Sequence, residues 1–180
     1  MHVKKIWILV TLLIIAELGG GSTAATLLAG LAGACLGFLR YNFQPARIYM
    51  GDTGSMFLGL LLGALAMDNA YTEFNRVAAL APALILGVPL FDMLFVMYVR
   101  FRRGIPIMLG SPDHVALRLR KWRLTTRQTV VVSYGTTAGL GGAAIVMTLL
   151  PLKGAAGVLG GLVLTAGILA LLLRRIDMSL

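Results

Sequence analysis

The chain has 180 residues, 58% of them hydrophobic and only 13% charged, with a formal net charge of +9. A soluble domain uses roughly 25% charged residues, so the composition excludes a water-soluble enzyme, and the repeated long apolar runs mark a polytopic membrane protein. The single cysteine, Cys35, excludes a disulfide framework and a cysteine-based metal cluster, and reads as a small buried hydrophobe.

Six apolar helices are predicted in chain order. The first covers about Lys5–Leu18; its basic start and apolar core resemble a signal peptide. No small-residue cleavage site precedes Glu17, so it reads as a retained helix. GGGS at 19–22 breaks it. The second helix covers about Thr23–Leu39 and carries a GxxxG pair, Gly33 and Gly37; the third covers about Ser55–Met67 with a second pair, Gly59 and Gly63. Such pairs suit close helix contact in lipid. A polar connection follows, in which Thr72 is a candidate cap for the next helix, with Glu73 near its positive end. The fourth helix covers about Asn75–Val99, with a kink or break expected near Pro89. After a polar loop, Thr125 and Gln128 have capping-box spacing at the start of a fifth helix that runs to about Leu150. The sixth covers about Ala155–Leu173.

With the amino terminus in the cytoplasm, fourteen of the sixteen lysines and arginines fall on the cytoplasmic side, and only Arg76 and Lys153 fall outside. The positive-inside rule accounts for the net charge without nucleic acid as a partner.

Between the second and third helices lies Asn42–Gly59, NFQPARIYMGDTGSMFLG. Its glycines permit close backbone approach to a ligand and Pro45 stiffens the chain. A carboxylate, Asp52, beside Thr53 and Ser55 suits a hard cation such as Mg²⁺, which commonly accompanies phosphate. The alternative is that Asp52 caps the third helix. The string lacks the spacing and lysine of a phosphate-binding P-loop. Asp92, in VPLFD within the fourth helix, is costly in lipid and should face protein or water, either as a functional acid or as a structural partner of an arginine. The loop GSPDHVALRLRKWRL collects Asp113, His114, Arg118 and Arg120. Val115, Leu119 and Trp122 form one apolar stripe, predicting a short interfacial helix with Trp122 at headgroup depth. A basic stripe that only meets anionic lipid is the alternative, and it does not need His114.

NFQPARIYMGDTGSMFLG, with FLRYN before it and VPLFD and SPDHVALRL after it, resembles the signature of the polyprenyl-phosphate N-acetylhexosamine-1-phosphate transferases, which include phospho-MurNAc-pentapeptide translocase. The motifs span roughly residues 20–125. The resemblance implies transfer of a sugar-1-phosphate, GlcNAc-1-phosphate foremost, from a UDP-sugar to undecaprenyl phosphate, releasing UMP. This takes place at the cytoplasmic face of the bacterial inner membrane and initiates cell-envelope polysaccharide synthesis. It implies Mg²⁺ as cofactor with Asp52 as its carboxylate, and Asp52, Asp92 and His114 as catalytic residues. Asn42 supports the loop, and Asn42, Arg47 and Arg118 are the implied substrate-binding residues. Two departures stand out. The family's H-x-H-H-R-L histidine motif reads HVALRL here, leaving His114 alone with Ala116 and Leu117 in the other places. The family's paired-aspartate and N-x-x-N-x-x-D-G motifs are absent. The expectation is therefore a single all-α membrane domain, residues 1–180, corresponding to the carboxy-terminal half of such an enzyme, with an amino-terminal half or a second copy as partner. A non-catalytic membrane subunit and a small transporter are the other classes.

Overall fold

The computed structural model describes residues 3–20, 22–42, 47–68, 75–106 and 114–174, and every regular element among them is helical. Eight α-helices follow in order: α1 (Val3–Leu18), α2 (Ser22–Asn42), α3 (Gly51–Met67), α4 (Ala81–Ile85), α5 (Gly87–Arg102), α6 (Val115–Lys121), α7 (Thr126–Leu149) and α8 (Leu152–Leu173). A 3₁₀ turn, Arg76–Leu80, leads into α4. All six predicted apolar segments are helical, and the fold is that of an all-α polytopic membrane protein. Among the described residues three helices are long and apolar enough to cross a membrane, Thr23–Asn42, Thr126–Leu149 and Leu152–Leu173. A fourth span forms if the bent pair Arg76–Ile85 and Gly87–Arg102 counts as one, and Trp7–Leu18 and Gly51–Met67 are shorter apolar helices.

The two halves of the bent pair meet at 74°. The break falls at Leu86, one turn ahead of Pro89, because Pro89 has no N–H to offer the Ile85 carbonyl and its ring crowds that same group. Pro89 then occupies the first turn of α5, where a missing donor is harmless. Gly87 permits the bend to lean on α7: a Cβ there would stand 2.9 Å from Leu140 Cδ1.

Helix α7 is the hub, touched by α1, α4, α5, α6 and α8. Its amino-terminal cap is the predicted one: Thr125 Oγ1 accepts from Gln128 N at 3.2 Å and Gln128 Oε1 accepts from Thr125 N at 2.9 Å. The main core joins Leu9, Leu12 and Ile15 of α1 to Ala25 and Leu28 of α2 and to Ala144 and Met147 of α7. At Gly141 the approach is so close that any Cβ would overlap Thr11 of α1. The predicted GxxxG contacts are a different matter. Added Cβ atoms at Gly33, Gly37, Gly59 and Gly63 would meet nothing within 4 Å, so within the described residues these faces serve no helix of this chain. Helix α8 buries little beyond Ala155 and Leu173 and presents Val163, Leu164 and Ile168 outward, as a lipid-facing helix does.

The cap of the segment before α4 is Asn75. Thr72 and Glu73, the predicted cap and its acid, lie outside the described residues. Asn75 Oδ1 accepts from Ala78 N at 2.8 Å, while Nδ2 donates to Met147 O at 3.0 Å and Leu150 O at 3.1 Å. One side chain thus satisfies the start of one helix and the orphan carbonyls at the end of another. Asn75→Ala is expected to lower stability by about 2–4 kcal/mol, the sum of a lost cap and stranded carbonyls. Asn75→Asp, which keeps the acceptor but loses the donor, should fall between. Thermal unfolding in detergent micelles reads the order.

Candidate functional site

The residues just ahead of α3, 47–50, are tied to the end of α2. Asn42 Nδ2 donates to Ile48 O at 2.8 Å, and Arg47 N donates to Tyr41 O at 2.9 Å. Pro45 lies outside the described residues. Gly51 turns the chain into α3 at φ +66°, a region costly for any side chain. A Cβ at Gly54 would stand 2.5 Å from Met50 Cγ, so this turn is tight as well as sharp. Helix α3 begins at Gly51 rather than at about Ser55, which places Asp52 inside its first turn. Asp52 is exposed, and the positive end of the helix dipole favours its charge. The capping alternative for Asp52 does not hold, because Met50 occupies the N-cap and makes no side-chain cap bond. Ser55 Oγ donates to the Asp52 backbone oxygen at 3.0 Å.

Asp92, inside α5, and His114, the N-cap of α6, come together. Asp92 Oδ2 lies 2.8 Å from His114 Nδ1, and Asp92 Oδ1 accepts from Val115 N at 2.7 Å. Val115 N–H is one of the orphan donors at the start of α6, so a residue of α5 caps α6 across space. An ionised carboxylate only accepts, so the contact calls for a proton on His114 Nδ1; in the neutral form of this half-exposed imidazole Nε2 is then the acceptor. The alternative reading of Asp92, a partner for an arginine, is not what the described residues show.

Arg118 sits elsewhere. It is fully buried, donates from Nη1 to Leu173 O at 3.1 Å and stands 5.3 Å from the Phe95 ring centroid. The guanidinium therefore closes the carboxyl end of α8, where a helix dipole favours a cation, and stacks on an aromatic face. To reach a phosphate it would have to give up these partners. Val115 and Leu119 of the predicted stripe pack on Phe95, Val99 and Leu173, and Trp122 stays exposed. The short helix thus rests on protein along one side, and Leu117, Arg120, Lys121 and Trp122 are exposed along the other. Arg47 is exposed, and Asp113 lies outside the described residues. Phe95 and Leu173 were missed as partners of Arg118. Phe95 could have been found three residues after Asp92, on the same helix face. Leu173 left no local signal.

Among the described residues no hydrogen bond or ion pair joins the Asp52 side chain to Asp92 or His114, and no three His, Cys, Asp or Glu side chains cluster as a metal cage. Asp52 fits a magnesium ion as one carboxylate leg. Mg²⁺ is commonly held by one or two carboxylates together with waters and substrate phosphates, so one exposed acid is a partial ligand set, not a complete one.

The family described as glycosyl transferase family 4 matches residues 2–70, which include the whole Asn42–Gly59 stretch. A probable undecaprenyl-phosphate N-acetylglucosaminyl 1-phosphate transferase of Bacillus subtilis is 37% identical over 69% of this chain and 35% of its own length. A decaprenyl-phosphate N-acetylglucosaminephosphotransferase of Mycobacterium tuberculosis is 38% identical over 82% of this chain and 40% of its own length. A phospho-N-acetylmuramoyl-pentapeptide-transferase of Chlamydia trachomatis is 71% identical over 23% of this chain and 12% of its own length. No solved structure matches. The chain spans 35–40% of the length of the first two of these relatives, and over that span it is similar by sequence to them and, at residues 2–70, to the family described as glycosyl transferase family 4.

Proposed function

We propose that the chain supplies the carboxy-terminal part of a transferase that moves GlcNAc-1-phosphate from UDP-GlcNAc to undecaprenyl phosphate at the cytoplasmic face of the bacterial inner membrane, the first step of an envelope polysaccharide. In this reaction an oxygen of the lipid phosphate bonds to the sugar-bearing phosphorus of the donor. The diphosphate P–O bond breaks, and UMP leaves with the electron pair. Two anions must approach each other, so the site must supply positive charge and aligned donors. Asp52 would hold Mg²⁺ as one carboxylate leg alongside waters and substrate phosphates, and the ion would supply charge neutralisation at the phosphates. Asn42 keeps the loop closed so that Asp52 and Arg47 face the substrates. His114 presents Nε2 to a phosphate-borne proton, with Asp92 fixing the ring.

The observation that supports this most is the 2.8 Å contact between Asp92 and His114, two residues 22 positions apart that the family signature assigns to one site. The test supplies an amino-terminal half carrying the two missing acidic motifs and follows radiolabelled sugar-1-phosphate into the lipid extract. Asp52→Asn is expected to reduce transfer at least about a hundredfold and to leave expression in the membrane intact. Transfer within twofold of the parent chain would refute the assignment.

A second reading, a packing subunit without chemistry of its own, draws on the open glycine faces at Gly33, Gly37, Gly59 and Gly63. It expects Asp52→Asn to be silent and bulky substitutions at those glycines to abolish association.

A further inference from the structure

Gly51 and Gly54 flank Asp52, and they are glycines for different reasons. Gly51 turns the chain at φ +66°. Gly54 lies inside α3 without a positive φ, where alanine is the better helix former. What fills the place of a side chain there is Met50. A Cβ at Gly54 would stand 2.5 Å from Met50 Cγ, 3.6 Å from Sδ and 3.7 Å from Cβ, so its three nearest atoms all belong to that one side chain.

Met50 also ties the approach to α3 to the bundle. Ile48 and Tyr49 are exposed, whereas Met50 is half-buried and packs against the main core. Met50, Gly54, Leu58 and Leu62 recur every four residues and form one row along α3, in which Leu58 and Leu62 are buried. The row thus begins one residue before the helix does. Asp52 lies two residues on from Met50, ~200° around the axis, and is exposed. Seating the row against the core therefore sends Asp52 outward. A helix start is ordinarily fixed by a polar side chain at the N-cap. At α3 the N-cap is Met50, with helical dihedrals of φ −71° and ψ −23° and no side-chain cap bond, so apolar packing takes over that task.

We propose that Met50 is a positioning residue for the carboxylate of Asp52: its side chain, seated in the space that Gly54 leaves open and against the core, fixes the Gly51 turn and with it the direction of Asp52. The role rests on the reaction proposed above, in which Asp52 meets Mg²⁺. A methyl group at position 54 forces Met50 into another χ1 rotamer, because Cγ lies too near the backbone to swing aside in any other way. The thioether then leaves the core and the turn loses its apolar anchor. Gly54 thereby acts through Met50, not through close approach of its own backbone to a ligand.

The test is a double-mutant cycle of Met50→Ala and Gly54→Ala. Its first readout needs neither metal nor substrate. Arg47 is exposed, but the peptide after it is held by the bond from Asn42 to Ile48 O, so tryptic cleavage at Arg47 reports loosening of this stretch. Cleavage of the full chain in detergent with EDTA is followed by mass spectrometry. Gly54→Ala is expected to speed it about tenfold, Met50→Ala about as much, and the double variant no further. The second readout is the half-saturating Mg²⁺ for sugar-1-phosphate transfer with the amino-terminal half supplied. It should rise about tenfold in both single variants and in the double, and stay within about twofold of the parent in Met50→Leu, which fills the same space.

Gly54→Ala without effect on cleavage overturns the proposal. So does the same factor from Gly54→Ala with and without Met50, because something other than Met50 then needs the glycine. An unchanged Mg²⁺ requirement in Met50→Ala overturns it too, by leaving Met50 a packing residue only. Circular dichroism checks folding; should Gly54→Ala not fold, recovery in the double variant supports the proposal and failure there refutes it. Absence of transfer in every chain, the parent included, defeats the proposed reaction, while the cleavage rates still decide whether Met50 and Gly54 are coupled.

Discussion

Asp92→Asn is expected to invert the tautomer of His114 and to lower sugar-1-phosphate transfer by about 10²–10⁴-fold, the range associated with a misoriented general base. The reasoning rests on which donors must be served. Asp92 offers one oxygen to Val115 N–H and the other to His114 Nδ1. An asparagine has only one oxygen. The backbone N–H of Val115 can only donate, so it claims that oxygen and leaves the amide NH₂ facing the ring. His114 must then accept at Nδ1 and carry its proton on Nε2, which reverses what it presents outward. The helix cap survives, so α6 stays in place and the loss is chemical, not structural. Two measurements separate these effects. Nitrogen-15 spectra of the labelled imidazole report the tautomer directly, and transfer is assayed with the amino-terminal half supplied. A variant with the parent tautomer, or with the inverted tautomer and full activity, would show that Asp92 does not act through His114. Asp92→Ala, by contrast, should also loosen α6, because the Val115 donor is stranded.

Arg118→Ala is expected to cost about 2–4 kcal/mol of stability. The substitution empties the space of a fully buried side chain, strands the Leu173 carbonyl and removes the cation from the Phe95 ring. Part of that loss is offset, since burying a guanidinium is itself expensive. Arg118→Met separates the terms: it refills the space without charge, so it should recover a good share of the stability but leave Leu173 without a donor. Arg118→Lys reaches the carbonyl with a point charge but loses the planar stack on Phe95. The expected order of unfolding temperature in detergent is parent, Met or Lys, then Ala. The same loosening should expose the segment after α5 to trypsin. An alanine variant that melts within a degree of the parent chain would contradict the buried placement. It would return Arg118 to the role the family signature suggests, a free phosphate contact.

Much of the helical layout was readable from the residues alone. The apolar runs gave six helices because a backbone in lipid must satisfy its own hydrogen bonds, and a helix does so using neighbours four residues away. The Thr125 and Gln128 capping box was readable for the same reason: both bonds span three residues. Pro89 announced a break, since its missing donor acts on the residue four before it. The chemistry-bearing residues also stood out, because isolated polar groups in an apolar chain are costly and few.

What only the tertiary structure decided is how those residues are used. Asn75 holds an end of α7 from 72 positions away, Asp92 caps a helix 23 positions on, and Arg118 closes α8 across 55 positions. None of these has a local signature, because a carboxylate or amide can serve any orphan backbone group that packing brings within reach. The glycines illustrate the same division. GxxxG spacing marked Gly33, Gly37, Gly59 and Gly63, yet among the described residues the close approaches between helices occur at Gly87 and Gly141. Spacing shows where two helices can touch; only the packed bundle shows which surfaces do, because the choice depends on every neighbour at once.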